Sequence, residues 1–473
     1  MPGTLDLSDR EDIVKFVSEN NIRILNLCHI SEEGRLKTLS FSAADRARVL
    51  EILEFGERVD GSSLFSFIEP GKSDIYIMPK VSRAFVNPFS TLATLNIMCD
   101  YLDENGMPLN FAPKSVLIRA EEKLRRSSGV TLKALAELEY YIISKHQVEM
   151  QFKSAPDKNY HESTPFAEFE DLRNEVLAIL NITGISTKYG HSEVGRIYTN
   201  DDTLLEQHEI EFAPQSLTEM AETVSIAKWI VRNVCARHGV SVTFIPKISL
   251  DHAGNGMHIH LCGLKKGNNI VPKPDGNLSN EAMQMIGGIL KFAPSLAAFG
   301  NPTPVSYLRF IAHKESPMYI CWSARNRSAL VRIPLWWSFK QKRKGGDSCK
   351  ETIEYRAADA FANAYLLLAG LALATEYGLA NSRKALKIAC AHHIETSDKV
   401  EKELPALPQS CSESAESLEK HRKYYEADGV FPKKLIDKTI EKLRSYRDKE
   451  LWKELLGNPD EIEKEIMHYI HYG

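Results

Sequence analysis

The sequence shows little that points to secretion, a membrane span or a cysteine-held metal. Its N-terminus, MPGTLDLSDREDIVKFV, has no basic segment followed by an apolar run, so no signal peptide is expected. No stretch approaches the roughly eighteen consecutive apolar residues of a membrane helix, and WIVRNVCARHGVSVTFIP is broken by Arg232, Arg237 and His238. The eight cysteines (Cys28, Cys99, Cys235, Cys262, Cys321, Cys349, Cys390 and Cys411) are scattered, and none pair as C-x-x-C. That usage predicts reduced thiols in a cytoplasmic protein, not a disulfide framework or a zinc site. A large excess of either charge is also missing. A formal net charge of -4 gives no electrostatic footprint for nucleic acid or an anionic membrane. There is no internal repeat, no low-complexity tract, and neither G-x-G-x-x-G nor G-x-x-x-x-G-K-S/T, so a bound nucleotide would need another device.

What is present is the composition of an ordinary globular protein, 43% hydrophobic and 26% charged over 473 residues, long enough for two or more cores. Residues up to about 109 read as a small α/β unit: a helix near 9–19, ILNLCHI, RLKTLSF, a helix near 43–55, IYIMPK and ATLNIMCDYL. The turn Asp103–Gly106 and a charged helical stretch from about Ser115 place a domain boundary there, giving 1–109 and 110–473. Beyond it, strand candidates are KALAELEYYIIS, SVTFIPKIS, GMHIHLCG, YICWSA, SALVRIP and IEYRAAD. Helices are expected at 169–181, 217–238, 281–292, 360–378 and 433–456. Strands without a regular βαβ rhythm argue for an α+β domain.

Chemistry enters through pairs of ionisable residues two apart on strands. Glu137 and Glu139 lie in an otherwise apolar strand and project from one face, roughly 7 Å apart. Like charges so placed repel unless a cation or bound protons compensate. His258 and His260 repeat the spacing, after glycines that permit close backbone approach, and could ligate metal or phosphate. Glu354 and Arg356 repeat it again. A solvent-facing strand accounts for any one pair alone; a sheet curved around a polar, ion-binding cavity accounts for all three. Arg309, Arg325, Arg327 and Arg332 follow closely in sequence, and the apolar neighbours of Arg332 point to burial. Arginine suits bidentate recognition of carboxylate or phosphate. A cavity with acids for cations and arginines for anions is what phosphoryl transfer requires.

The ordered motifs D-G-S-S (60–63), A-E-L-E-Y (136–140), S-E-V (192–194), E-Q-H-E-I (206–210), T-F-I-P-K (243–247), G-N-G-M-H-I-H (254–260), N-P-T-x-x-S-Y-x-R (301–309), N-R-S-A-L-V-R-I-P (326–334) and I-E-Y-R (353–356) resemble the glutamine synthetase family, from about residue 20 onward. The resemblance implies a small N-terminal β-grasp-like domain and a large catalytic domain with a curved antiparallel sheet, a half-barrel backed by helices. It implies two divalent ions, Mg²⁺ or Mn²⁺, with Glu139, Glu193 and Glu209 holding one and Glu137, His258 and Glu354 the other. It implies ATP as co-substrate, a γ-glutamyl phosphate, and ammonia displacing phosphate from it. By the same resemblance Arg309 meets the substrate carboxylate and Arg356 lies near the substrate or its acyl phosphate. Arg327 and Arg332 meet the transferring phosphoryl group, and His260 contacts ATP phosphate. Glu315 corresponds to an acid of a flap that closes over the intermediate. Asp60 corresponds to an acid that binds ammonium at a neighbouring subunit's site, which implies a homo-oligomer, a double hexameric ring with shared active sites.

Departures from the family pattern gather around the substrate. The flap reads Val305–Arg309 followed by Ile311–Glu315 and lacks the usual Pro-Gly turn. Ala253 stands where the family has Asn, Cys262 where it has Ser, and Thr352 where it has an Arg on the nucleotide side. Gly195–Glu206 and Lys340–Cys349 are longer than usual, and Lys342, Arg343 and Lys344 of the second, or Lys350 just after it, are candidates to replace the missing Arg, unless the stretch is a solvated loop. Three readings follow: ligation of ammonia to glutamate, the same chemistry with a polyamine or another amine, and a ring-forming homologue without turnover.

Overall fold

The structure is a computed structural model that describes residues 9–145, 155–199, 202–311, 316–336, 349–395, 404–455 and 457–473. Chain order begins with α1 (Arg10–Glu19), β1 (Ile24–Ile30), β2 (Leu36–Ser42), α2 (Arg46–Phe55), β3 (Glu57–Asp60), β4 (Asp74–Val86) and β5 (Thr94–Leu102). Asp9 and Asp12 form a reciprocal capping box that starts α1. The five strands make one sheet in the order β2-β1-β5-β4-β3, antiparallel except for the β1–β5 pair. Leu25, Leu27, Ile77, Leu95 and Ile97 of this sheet are buried in the same core as Val14 of α1 and Ile52 of α2.

The second unit runs α3 (Pro113–Ser128), β6 (Val130–Ser144), α4 (Glu170–Ile182), β7 (Thr187–Tyr198), β8 (Leu204–Phe212), β9 (Gln215–Ser216) and α5 (Leu217–Arg237). It continues with β10 (Ser241–Thr243), β11 (Met257–Lys265), β12 (Asn268–Asn269), α6 (Asn280–Gly300), α7 (Pro304–Ile311), β13 (Trp322–Ala324), β14 (Val331–Ile333) and β15 (Ile353–Tyr355). Helices close it: α8 (Ala364–Ala380), α9 (Ser382–Ala391), α10 (Cys411–Glu426), α11 (Lys433–Ser445), α12 (Leu451–Leu455) and α13 (Pro459–His468). The large sheet follows β13-β14-β15-β11-β6-β8-β7 and curls into a half-barrel, with β9 and β10 on β6 and β12 on β11. It is antiparallel except at its edge, where β13 and β14 run parallel. The expected α+β class and curved, helix-backed sheet are both found.

α6 and α8 form the core of the helical layer, with α3, α9 and α10 around them. A Cβ at Gly288 would overlap the Ala374 carbonyl and one at Gly378 the Gln284 carbonyl, so these two glycines let the helix backbones touch. By length and composition α6 could cross a membrane, but it is largely buried inside the protein, which explains its apolar surface.

Three expectations need correction. SVTFIPKIS is a strand only over Ser241–Thr243; beyond it Asn255 takes the backbone, its Nδ2 donating to Ile245 O at 2.9 Å and its N–H to Pro246 O at 2.9 Å. The single helix expected at 433–456 is α11 and α12, separated near Arg447, whose φ is 52°. The thiols are not all reduced: Cys262 and Cys349 form a disulfide, while the other six are free. Their separation of 87 residues hid the pair. Pairing of Leu261 with Ile353 brings the middle of β11 against the start of β15 and leaves the Cα atoms of the two cysteines 5.5 Å apart.

Candidate active site

Register in the half-barrel decides which side chains meet. Glu137 lies opposite Glu211 and Glu139 opposite Glu209 across β6–β8, while His258 lies opposite Glu137 and His260 opposite Glu354 across β11. Alternation along each strand then turns these residues into one cavity of about 340 Å³. Its walls carry Glu137, Glu139, Glu193, Glu209, His258 and His260, together with Arg309, Arg327, Arg332 and Arg356.

One acid–imidazole group gathers around Glu137. His258 Nδ1 is 2.8 Å from Glu137 Oε2 and His260 Nε2 is 2.9 Å from Glu137 Oε1. The other nitrogen of His260, Nδ1, pairs with Thr352 Oγ1 at 2.9 Å, so the residue in place of the missing Arg fixes this ring. Burial alone would push the Glu137 carboxyl up, but the neighbouring His260 and His258 rings hold it well below the usual range. His260 answers in kind: burial opposes its charged form, yet Glu137 and Glu354 raise its pKa. Glu354 is fully buried, 2.7 Å from Arg332 and in direct contact with Arg356, and it holds both guanidinium groups at the cavity wall.

The second group is short of positive charge. Glu193, Glu209 and His191 offer ligand atoms within 4.8 Å of one another, as do Glu137, His260 and Glu354 in the first group. Burial first, then the charges of Glu209 and Glu139, push the Glu193 carboxyl up to about 9. Burial and the charges of Glu137 and Glu139 push Glu209 well up too. Crowded carboxylates that keep their protons are what a cation site shows when no cation offsets them. Glu139 accepts from the Gly256 N–H at 2.6 Å and lies 4.0 Å from His258 Nε2. Gly256 itself is required: a Cβ there would sit 2.6 Å from His258 Nε2 and 2.7 Å from Arg309 Nη2.

Arg309, on α7, is buried, and burial lowers its pKa. Its Nη1 donates to Ala357 O at 3.0 Å and Ala358 O at 3.2 Å, which aims the guanidinium at His258. Arg327 lies with its guanidinium 5.8 Å from the Tyr160 ring centroid. Asp60 does not line this cavity; it lies exposed on the N-terminal unit, its carboxylate accepting from Ser62 and Ser63. Glu315 and most of the Lys340–Cys349 stretch lie outside the described residues.

Sequence reasoning missed His191, Glu211 and Lys188 as wall residues. The same two-residue spacing finds the first two, since His191 stands two before Glu193 and Glu211 two after Glu209. Lys188 Nζ lies 2.6 Å from Glu211 Oε1, a partnership only the β7–β8 pairing reveals.

An α+β half-barrel whose cavity faces two acid–imidazole groups with four arginines defines a class of protein that binds cations and anions together. Residues 110–463 match the family described as glutamine synthetase, catalytic domain, and residues 21–104 match its beta-Grasp domain. The chain belongs to the glutamine synthetase family. It is 30% identical over 452 residues to glutamine synthetase of Thermotoga maritima, covering 94% of this chain and 96% of that protein. It is 29% identical over 467 residues to glutamine synthetase of Rhizobium meliloti, covering 92% and 95%. Among solved structures, Plasmodium falciparum glutamine synthetase superposes with a TM-score of 0.78 at 20% identity, covering 94% of this chain and 97% of that one. The GmaS/ADP complex superposes with a TM-score of 0.73 at 20% identity, covering 92% and 95%.

Proposed function

We propose that this chain joins ammonia to the γ-carboxylate of glutamate at the expense of ATP. The observation that carries the reading is the single cavity in which two carboxylate-rich groups face Arg309, Arg327, Arg332 and Arg356. Glu139, Glu193 and Glu209, with His191 beside them, would hold one divalent ion, and Glu137, His258 and Glu354 the other. Their hard oxygen donors suit Mg²⁺ or Mn²⁺, and the raised carboxyls of Glu193 and Glu209 fit a place made for a cation. Bound there, such ions neutralise polyphosphate charge and polarise the phosphoryl group.

The protein's own groups act around that centre. Arg309, held by two backbone carbonyls, binds the substrate carboxylate, and Arg356, in contact with Glu354, lies at the reacting end. A γ-carboxylate oxygen attacks the terminal phosphorus of ATP, ADP leaves, and γ-glutamyl phosphate forms. Arg327, Arg332 and His260 stabilise charge on the phosphoryl oxygens through preorganised donors. Ammonia then attacks the acyl carbon, phosphate leaves, and the extra proton passes to a nearby carboxylate. Glu315 and the Asp60 of a neighbouring copy are proposed for binding ammonium and taking that proton, in a homo-oligomeric ring.

A second reading, with an amine as acceptor, is favoured by Ala253, whose side chain offers no amide near the Gly254 wall. Phosphate release from ATP and Mg²⁺, measured with glutamate plus ammonia or each of a panel of amines, separates the two. Release with ammonia supports the first. Release only with an amine replaces it with the second, and no release under any condition overturns both.

A further inference from the structure

A second cavity, of about 460 Å³, opens between the two domains, away from the half-barrel. One side is Gly34–Leu36, the turn joining β1 to β2. The other is the outer face of α5, with Val240–Val242 and His471 closing the rim. Three cations converge there. Arg35 comes from the N-terminal domain, and Lys228 and Arg232 lie one helical turn apart on α5.

What these cations touch is unusual. Lys228 is 2% exposed and its Nζ donates to one backbone carbonyl, Ala360 O, at 2.9 Å. Arg35 Nε donates to Gly473 O at 3.1 Å and its Nη2 to His471 O. Arg232 Nη2 also donates to Gly473 O, while its guanidinium stacks 4.9 Å from the Phe244 centroid. Among the described residues, no side-chain carboxylate forms an ion pair with any of the three. A carboxylate on Gly473 would meet one positive charge and leave two. The strain registers in the groups themselves. Burial, and then Arg232 and Arg35, lower Lys228 to about 7; burial and Arg35 lower Arg232 to about 10. A buried lysine beside one half-buried and one exposed guanidinium, repelling one another with room beside them, is stabilised by an anion. The lining also has an apolar part, Leu36, Trp229, Val240 and Val242.

We infer that this interdomain cavity is a binding site for a small organic anion, its carboxylate or phosphate head on Arg35, Lys228 and Arg232 and its apolar body against Trp229. The site is separate from the catalytic cavity and does not depend on the reaction proposed for it. Lys228 donates to Ala360 O, two residues beyond the Ala358 carbonyl that accepts from Arg309, so one short segment of chain links the two cavities.

The test is titration of the full-length protein with phenyl phosphate and with phenylacetate, followed by Trp229 fluorescence and by calorimetry, with inorganic phosphate as the bare head group. Phenyl phosphate, phenylacetate or both are expected to saturate, the better of them binding at least tenfold more tightly than inorganic phosphate. The two arms show whether phosphate or carboxylate is the preferred head. The signal should persist in Arg332→Ala, which alters the other cavity, and disappear in Trp229→Phe. Affinity should fall at least tenfold in Lys228→Met and in Arg35→Gln; the exposed Arg35 can be changed without disturbing the core if the buried lysine cannot. Absence of saturation with both aromatic anions overturns the inference. So does binding that Arg35→Gln leaves unchanged.

Discussion

Glu193 carries a protonation that the ion-holding role proposed for it would make temporary. Its carboxyl is pushed up to about 9 by burial and by Glu209 and Glu139, so without an ion it holds its proton at neutral pH. A divalent ion needs the carboxylate, so binding must expel that proton, and affinity must rise with pH until the group ionises unaided. Adding Mn²⁺ to weakly buffered protein between about pH 6 and pH 8 should therefore acidify the solution, with tighter binding at the upper end. Binding without proton release, or weakening as pH rises, would contradict the reading of this group. Much of the site was visible at this scale. Glu137 with Glu139, and His258 with His260, announce a shared face through spacing alone, and the spacing extends to His191 and Glu211. What stayed hidden was the allocation of partners. That Glu137 touches both histidines, and that Thr352 fixes His260, depends on the register of β6, β11 and β15.

Strand β8 explains why some elements escaped the sequence. Leu204–Phe212 reads LLEQHEIEF, the pattern of a wet edge, yet every residue in it is buried. Glu209 and Glu211 face the cavity, while Glu206 and His208 face a polar layer beneath, where His208 Nε2 lies 3.0 Å from Glu206 Oε1 and Arg196 Nη1 lies 2.7 Å from Glu206 Oε2. Arg173 joins this layer through Ser192 Oγ at 3.0 Å and His208 Nδ1 at 3.3 Å. Charge on both faces of a central strand breaks the link between polarity and exposure that periodicity relies on. β7 and β8 were for that reason identifiable by family motif but not by pattern, and α10 was missed because Ser, Glu and Lys outnumber its buried Leu418 and Tyr425. Arg196 and Glu206 are fully buried, so Arg196→Met should cost about 3–5 kcal/mol by leaving an unmatched carboxylate. Denaturant unfolding measures it. A loss under about 1 kcal/mol would mean that His208 and the backbone donors compensate.

At the scale of the whole molecule, the α+β class follows from the pattern of strands and helices and the half-barrel from the family resemblance, whereas the disulfide between Cys262 and Cys349 and the cationic cavity between the domains exist only in the folded chain. Sequence separation conceals both, because β11 meets β15 and the β1–β2 turn meets α5 across long stretches of chain. Asp60 raises the question of assembly, since its own chain's cavity is lined without it. If each site borrows Asp60 from a neighbour, Asp60→Asn and Arg327→Ala are each inactive as pure proteins. Reassembled together in equal amounts, they should recover about one quarter of wild-type turnover, the random share of sites that receive both intact residues. No recovery would place Asp60 outside any shared site.

The formation of γ-glutamyl phosphate is the proposal on which the roles assigned in the half-barrel cavity depend. Glutamate labelled with ¹⁸O in its γ-carboxylate, incubated with ATP, Mg²⁺ and ammonia, tests it most directly through mass analysis of the phosphate released. Transfer of one labelled oxygen into each phosphate is the predicted result. Phosphate that takes its fourth oxygen from water, or that appears equally without glutamate, would contradict it.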